Sequence, residues 1–143
     1  MGRSKGLYAP EKLSWLFQWT PPDDRITIIS AIGNHDESTG SPEDVISATL
    51  IIADKTDVRR SRVREKERAA FDIYDRVNYA ITESKLKIEK DRSVIALNLQ
   101  VDEKICSMYD YFEIFLGRMM LCRKSAEILG TTFKLTVNGR KVL

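Results

Sequence analysis

Apolar residues in the first half of the chain recur at the three- and four-residue spacing of amphipathic helices. Segment 11–19 predicts a short helix. The Pro-Pro-Asp-Asp run at 21–24 predicts the start of a second helix, because proline and acidic residues suit a first helical turn. The many β-branched residues of 25–35 leave a strand as the alternative there. A third helix is predicted to begin with Ser41 as its N-cap and to run to about residue 58. The inward face of this third helix is predicted to contain Val45, Ala48, Thr49, Ile52 and Ala53.

The pattern changes near residue 84, where apolar and polar residues alternate as they do in strands. Leu86 and Ile88 alternate with lysines, and apolar residues alternate again in VIALNLQV (94–101), so a β-hairpin with one apolar face is predicted. Near the C-terminus, TFKLTV and RKVL flank an Asn-Gly pair, the strongest short signal for a second hairpin.

The clearest helix of the chain is predicted for about 103–129, and Gly130 is expected to end it as a C-cap. Its main apolar stripe is wide enough to pack across a sheet. That stripe consists of Ile105, Met108, Phe112, Phe115, Met119, Cys122, Ala126 and Leu129. A second apolar stripe predicts that the other face meets either the N-terminal helices or another subunit. The second stripe consists of Tyr111, Ile114, Met120, Leu121 and Ile128.

Together these elements predict an α+β fold: a helical N-terminal part, residues 1–83, followed by a small β-β-α-β layer with one long helix, residues 84–143. A chain of 143 residues is long enough to bury its own core as one compact unit. The net charge of +2 predicts no bulk attraction to nucleic acid or to a membrane.

The two cysteines, Cys106 and Cys122, favour a reducing compartment. On one continuous helix they would lie about 24 Å apart, which is beyond the reach of a disulfide, so both are expected to be free thiols. No stretch approaches the roughly 20 apolar residues of a membrane span. The prediction is a soluble cytoplasmic protein.

Acidic residues close to the only histidine raise the question of a metal site. His35, Asp54 and Asp57, with Asp36 and Glu37, offer one imidazole and several carboxylates, a set that suits a divalent metal such as Mg²⁺ or Mn²⁺. The alternative from residue types alone is a solvated loop histidine beside surface carboxylates.

The segment that holds these residues, ISAIGNHDESTGSPEDVISATLIIADKTDVRRSRVR, resembles the later half of an HD-domain metal-dependent phosphohydrolase. The resemblance implies hydrolysis of a phosphate ester by a divalent metal (Mg, Mn, Fe or Zn). It implies that Asp54 is a metal ligand and that His35 is a second ligand or has a catalytic proton role. No histidine precedes His35, so the family's first histidine and its His-Asp dyad have no counterpart. The expectation is therefore a protein that acts on or binds a phosphate ester or nucleotide, incomplete and weakly active or inactive alone.

Downstream of Asp54 lies a basic run that is suited to phosphate. In the HD interpretation Arg59, Arg60 and the nearby Asp57 flank the substrate phosphate, because one guanidinium group can bind two phosphate oxygens at once. Two other interpretations stay open: a solvated face with internal ion pairs, since acids are interleaved, and nucleic-acid binding, which the low net charge disfavours. The rival to an enzyme is a non-catalytic module that forms a homo-oligomer or binds a partner through the second face of the long helix.

Overall fold

A computed structural model confirms the α+β class, with helices in the N-terminal part and one long helix beside a sheet. The structure describes residues 18–36, 40–63, 72–89, 91 and 93–143. Its elements are α1 (Pro22–Gly33), α2 (Val45–Thr56), a 3-10 turn (Arg60–Arg62), α3 (Ile73–Ala80), β1 (Ile81–Ile88), β2 (Val94–Val101), α4 (Met108–Ile128), β3 (Thr132–Val137) and β4 (Arg140–Lys141). Most of the short helix predicted at 11–19 lies outside the described residues.

The four strands form one sheet in the order β1-β2-β3-β4. β1 and β2 make an antiparallel hairpin in which Leu86 faces Leu97. β2 and β3 are parallel and are joined through α4, whereas β3 and β4 are antiparallel. The last turn contains Asn138 and Gly139, whose φ angles of 49° and 76° are the left-handed values that a two-residue hairpin requires. Both predicted hairpins are confirmed.

One face of the sheet carries the core, because the alternating apolar residues of β2 and β3 all point to the same side. Leu97 and Leu99 of β2 and Leu135 of β3 are almost completely buried, in one cluster with Phe115 and Met119 of α4. Each large side chain buried in this way contributes about 1.5–3 kcal/mol to stability. The main stripe predicted for the long helix is therefore confirmed as its contact with the sheet.

The second stripe of α4 is partly covered within the chain, and its Ile128 is 44% exposed. Tyr111 and Leu121 are buried, and α4 packs against α2 as well as against the sheet. α1 in turn packs against α2. Of the two occupants predicted for this face, the N-terminal helices are the one that the structure shows.

The start of α2 differs from the prediction. Its N-cap is Asp44, not Ser41, and the helix begins three residues later than expected. The backbone N–H of Ser47 donates to Asp44 Oδ1 at 2.7 Å, and Ser47 Oγ accepts from the backbone N–H of Asp44 at 3.0 Å. This reciprocal capping box satisfies two N–H groups that the first turn would otherwise leave unpaired, and Ser41-Pro42 lies outside the helix.

The buried face of α2 is also rotated relative to the prediction. Ala48 and Ile52 are buried as expected, but Val45, Thr49 and Ala53 are exposed. The remaining buried positions are Ser47, Ile51, Lys55 and Thr56. At the end of the helix, the exposed Ala53 lies beside Ser84 and Leu86 of the outer strand β1.

Neither cysteine forms a disulfide, as predicted, and both side chains are buried. Cys106 precedes α4 instead of belonging to it, and burial raises the pKa of its thiol. Within the described part of the chain, no helix combines the length and the apolar character that a membrane span needs.

Candidate functional site

A groove of about 350 Å³ lies between the last turn of α2 and the outer strand β1. One wall is helical and the other is the strand, while the residues that follow α2 close one end. The groove is lined by Ala53, Thr56, Asp57, Arg59, Ser84 and Leu86. Two of the residues that the sequence predicted for phosphate, Asp57 and Arg59, thus lie together at one concave surface.

Asp57 pairs with two arginines, with Arg59 in the groove lining and with Arg62 beside the lining. Its Oδ1 lies 2.9 Å from Nε of Arg59, and its Oδ2 lies 3.4 Å from Nε of Arg62. Both arginine side chains are more than half exposed. Each carries five N–H donors, of which these ion pairs use the Nε one. Two guanidinium groups and one carboxylate leave the cluster with a net positive charge.

Arg60 has a different environment from its neighbours. Its Nε donates to the backbone carbonyl of Tyr79 at 2.7 Å, and its guanidinium lies 4.4 Å from the centre of the Tyr79 ring. These contacts tie the 3-10 turn to the end of α3. Arg60 therefore positions the arginine segment, and the structure does not place it with Asp57 and Arg59 in the groove lining. Arg64 and Arg68 of the basic run lie outside the described residues.

Asp54 lies on the exposed side of the last turn of α2. Its Oδ2 is 2.9 Å from Nζ of Lys55, whose side chain is buried. The positive charge of the Lys55 ammonium group at this distance already balances the negative charge of the carboxylate. A metal ion at Asp54 would have to compete with that ion pair.

His35 lies in the loop that follows α1, where its Nδ1 is 2.5 Å from the carbonyl oxygen of Ile32. A carbonyl oxygen only accepts hydrogen bonds, so Nδ1 is the donor of this bond and Nε2 is the ring nitrogen that is left for another partner. This is the arrangement that a metal-binding histidine adopts when a backbone carbonyl orients it. The loop is closed by the N–H of Gly40, which donates to the carbonyl of Asp36 at 2.6 Å.

His35 and Asp54 do not form one site in the structure. One precedes α2 and the other belongs to its last turn, and no hydrogen bond or ion pair joins them. Among the residues that the structure describes, no group of three or more His, Cys, Asp and Glu side chains is placed to hold a metal ion. In the described part of the chain, Asp54 and His35, the residues that the HD resemblance assigns to the metal, therefore belong to no such group.

The strand side of the groove was not among the predicted site residues. Ser84 Oγ donates to the backbone carbonyl of Thr56 at 3.1 Å, which fixes β1 against the end of α2. Ser84 and Leu86 are 28 and 33 residues away from Thr56 and Ala53 in sequence. Only tertiary packing brings these positions together, and no local pattern indicates it.

Comparison with known proteins finds no match: no family model, no curated protein and no solved structure is significantly similar to the chain.

Proposed function

We propose that this protein binds a phosphate ester or a nucleotide at the end of the groove where Arg59 and Arg62 flank Asp57. The observation that carries the proposal is that one carboxylate holds both guanidinium groups by their Nε atoms. Their remaining N–H donors suit the bidentate geometry that arginine uses for phosphate oxygens. Asp57 is then a positioning residue, and its single charge leaves the cluster positive enough to attract an anion.

The HD relationship belongs to the same proposal. The order of the His35 loop, Asp54 and the arginine run along the sequence supports a diverged relative of that family. Such a protein would hydrolyse its substrate weakly, or not at all, without further residues. The reducing cytoplasm that we propose as its compartment suits two buried free thiols. The proposal needs phosphate binding, and hydrolysis is a separate, stronger version of it.

Phosphate binding is tested by isothermal titration calorimetry with inorganic pyrophosphate and with ADP, in buffer without divalent metal. The double variant Arg59→Gln/Arg62→Gln is expected to weaken binding by about tenfold or more, because each charge-assisted contact contributes about 1.5–3 kcal/mol. Arg123→Gln is the matched control, since Arg123 is an exposed arginine that pairs with Glu127 on α4. Equal affinity of the double variant and the wild type would refute the proposal.

The hydrolase version is tested separately with a divalent metal. In that version Asp54 or Nε2 of His35 would hold Mg²⁺, Mn²⁺, Fe²⁺ or Zn²⁺, and the metal would supply an activated water. Titration with Mn²⁺ is expected to show a site that Asp54→Asn or His35→Gln weakens. Mn²⁺ binding that survives both substitutions would remove these residues from any metal site and leave phosphate binding as the function.

A further inference from the structure

One side of α4 stays exposed although the rest of the helix is buried. Tyr109 is 77% exposed and Leu116 is 55% exposed. The half-buried Met120 lies on the same side, because steps of seven and four residues return to one face of a helix. This side is called the outer face of α4, and it consists of Tyr109, Glu113, Leu116, Gly117, Met120, Arg123, Lys124 and Glu127.

A glycine occupies the outer face beside Leu116. A Cβ added at Gly117 would meet no atom within 4 Å, so the packing of a single copy does not require a glycine there. A glycine inside a helix also destabilises that helix relative to alanine. The missing side chain lets a second helix approach the backbone of α4 closely at this point.

The charges of the outer face differ between its two ends. The N-terminal half carries Glu113 and, at its margin, Asp110, which gives a charge of −2. The C-terminal half carries Arg123, Lys124 and Glu127, which gives a charge of +1. Arg123 Nε lies 3.9 Å from Glu127 Oε1, whereas Glu113 and Lys124 have no ion-pair partner among the described residues. With all five charged side chains counted, one end of the face is negative and the other is positive.

The side chains of the outer face are arranged symmetrically about position 118. Leu116 and Met120 lie two residues on either side of it, and Glu113 and Arg123 lie five residues on either side, with Lys124 next in sequence. A two-fold axis at this point places a second copy antiparallel. Leu116 of each copy then lies opposite Met120 of the other, and Glu113 lies opposite Arg123 and Lys124. The negative end of each copy meets the positive end of the other.

Other occupants of the outer face fit its charges less well. A parallel pair of helices places Glu113 opposite Glu113 and Lys124 opposite Lys124, and like charges across an interface repel. A partner with one sign of charge is attracted by one end of the face and repelled by the other. Arg118 does not change this balance, because its guanidinium lies 4.6 Å from the ring centre of the buried Phe115, on the opposite side of the helix.

We propose that the outer face of α4 binds the same face of a second copy of this chain in antiparallel orientation. The contact between Leu116 and Met120, with the close approach at Gly117, supplies affinity. The charges at the two ends supply the orientation and the choice of partner. The inference is independent of phosphate binding, because the groove and its arginines involve α2, β1 and the segment after α2.

Sedimentation equilibrium of the full chain tests the dimer. We expect a reversible equilibrium of monomer and dimer. Leu116→Gln should weaken the dimer at least about tenfold, because two leucine side chains per dimer no longer contribute apolar contact. Ile26→Gln is the matched control, since Ile26 is 68% exposed on α1 and lies outside the outer face. A monomer at millimolar concentration would overturn the proposal, and so would equal effects of the two substitutions.

Charge reversal in the same assay tests the orientation. Glu113→Lys and Lys124→Glu should each weaken the homodimer about tenfold, because like charges then face each other at both ends. An equimolar mixture of the two variants should recover most of the wild-type affinity, because both ends of the heterodimer then join opposite charges. Lys141→Glu, on the exposed strand β4, controls for the change in net charge. Circular dichroism checks the fold of each variant. A mixture that associates no more tightly than the separate variants would refute the antiparallel contact.

Discussion

Replacing Tyr111 by phenylalanine is expected to stabilise the protein. The Tyr111 side chain is completely buried, and among the described residues its hydroxyl has no hydrogen-bond partner. The ring is stacked on Phe115 with centres 5.1 Å apart and meets the edge of Phe112 at 5.2 Å. Phenylalanine keeps both ring contacts and removes only the oxygen. The substitution therefore isolates the cost of one unpaired buried hydroxyl.

The size of the effect follows from the lost hydration of that hydroxyl. An unsatisfied buried polar group costs about 1–3 kcal/mol, and we expect Tyr111→Phe to recover about 1 kcal/mol at pH 7, at the lower end of that range. For a chain of this length, 1 kcal/mol corresponds to a rise in Tm of about 3 °C. Tyr109→Phe is the matched control, because Tyr109 is 77% exposed on the same helix, and its replacement should change the free energy of unfolding very little.

The same residue gives a pH dependence whose sign is fixed by burial. Burial raises the pKa of Tyr111 above the ordinary tyrosine value of about 10. At alkaline pH the folded protein thus keeps the Tyr111 proton that the unfolded chain releases. This contribution of Tyr111 to the stability of the wild type is complete below about pH 10 and is lost as the pH rises beyond that value. The advantage of Tyr111→Phe should therefore grow by about 0.8 kcal/mol between pH 8 and pH 10.5.

Urea unfolding of wild type, Tyr111→Phe and Tyr109→Phe at pH 8 and pH 10.5 measures both effects. Cys106 and Cys122 are present in all three proteins, so their titration cancels in the comparison. A loss of stability in Tyr111→Phe at pH 8 would show that the hydroxyl has a partner. A constant difference across the two pH values would show that folding does not raise the pKa of Tyr111, and either result would refute the reasoning.

Two other substitutions test how the ends of elements are fixed, with the free energy of unfolding in urea as the measurement for both. Ser47→Ala should destabilise the protein by about 1 kcal/mol, because the N–H of Asp44 loses its acceptor at the start of α2. Thr49→Ala, on the exposed side of the same helix, is the control. Equal effects of the two substitutions would contradict the capping role of Ser47. Asn138→Ala should cost about 2 kcal/mol, because the Asn138 side chain accepts from the N–H of Val101 at 2.8 Å and donates to its carbonyl at 3.0 Å. A change as small as that of the exposed Asn98→Ala would count against this cross-link between the last hairpin and β2.

The sheet and the long helix were predictable because their signals are local and periodic. The alternation in 94–101 and the three- and four-residue spacing from Phe115 to Ala126 each identify one apolar face. In the structure these same faces are buried in the core. The start of α2 was not predictable in the same way. Ser41-Pro42 and Asp44-Ser47 are both acceptable starts, and the reciprocal hydrogen bonds of the second pair decide between them.

The residues of the candidate site likewise differ in whether local sequence predicts them. Asp57 and Arg59 are close in sequence, so their ion pair at the groove could be anticipated from the basic run. The exposed margin at Leu86 could not, since the alternation of 84–90 predicts an apolar face without saying where the helices stop covering it. The position of His35 relative to Asp54 likewise depends on the conformation of the chain before α2, which no local sequence pattern indicates.

The parallel pairing of β2 with β3 sets an order for folding during synthesis. β1, β2 and α4 emerge first and can assemble as a hairpin with a helix across it, but the second edge of β2 stays unpaired until Thr132–Val137 follows. That edge borders Leu97 and Leu99, among the most apolar positions of the chain. Nascent or prematurely terminated chains therefore expose a strand edge suited to aggregation, and such species are the ones that chaperones would have to protect.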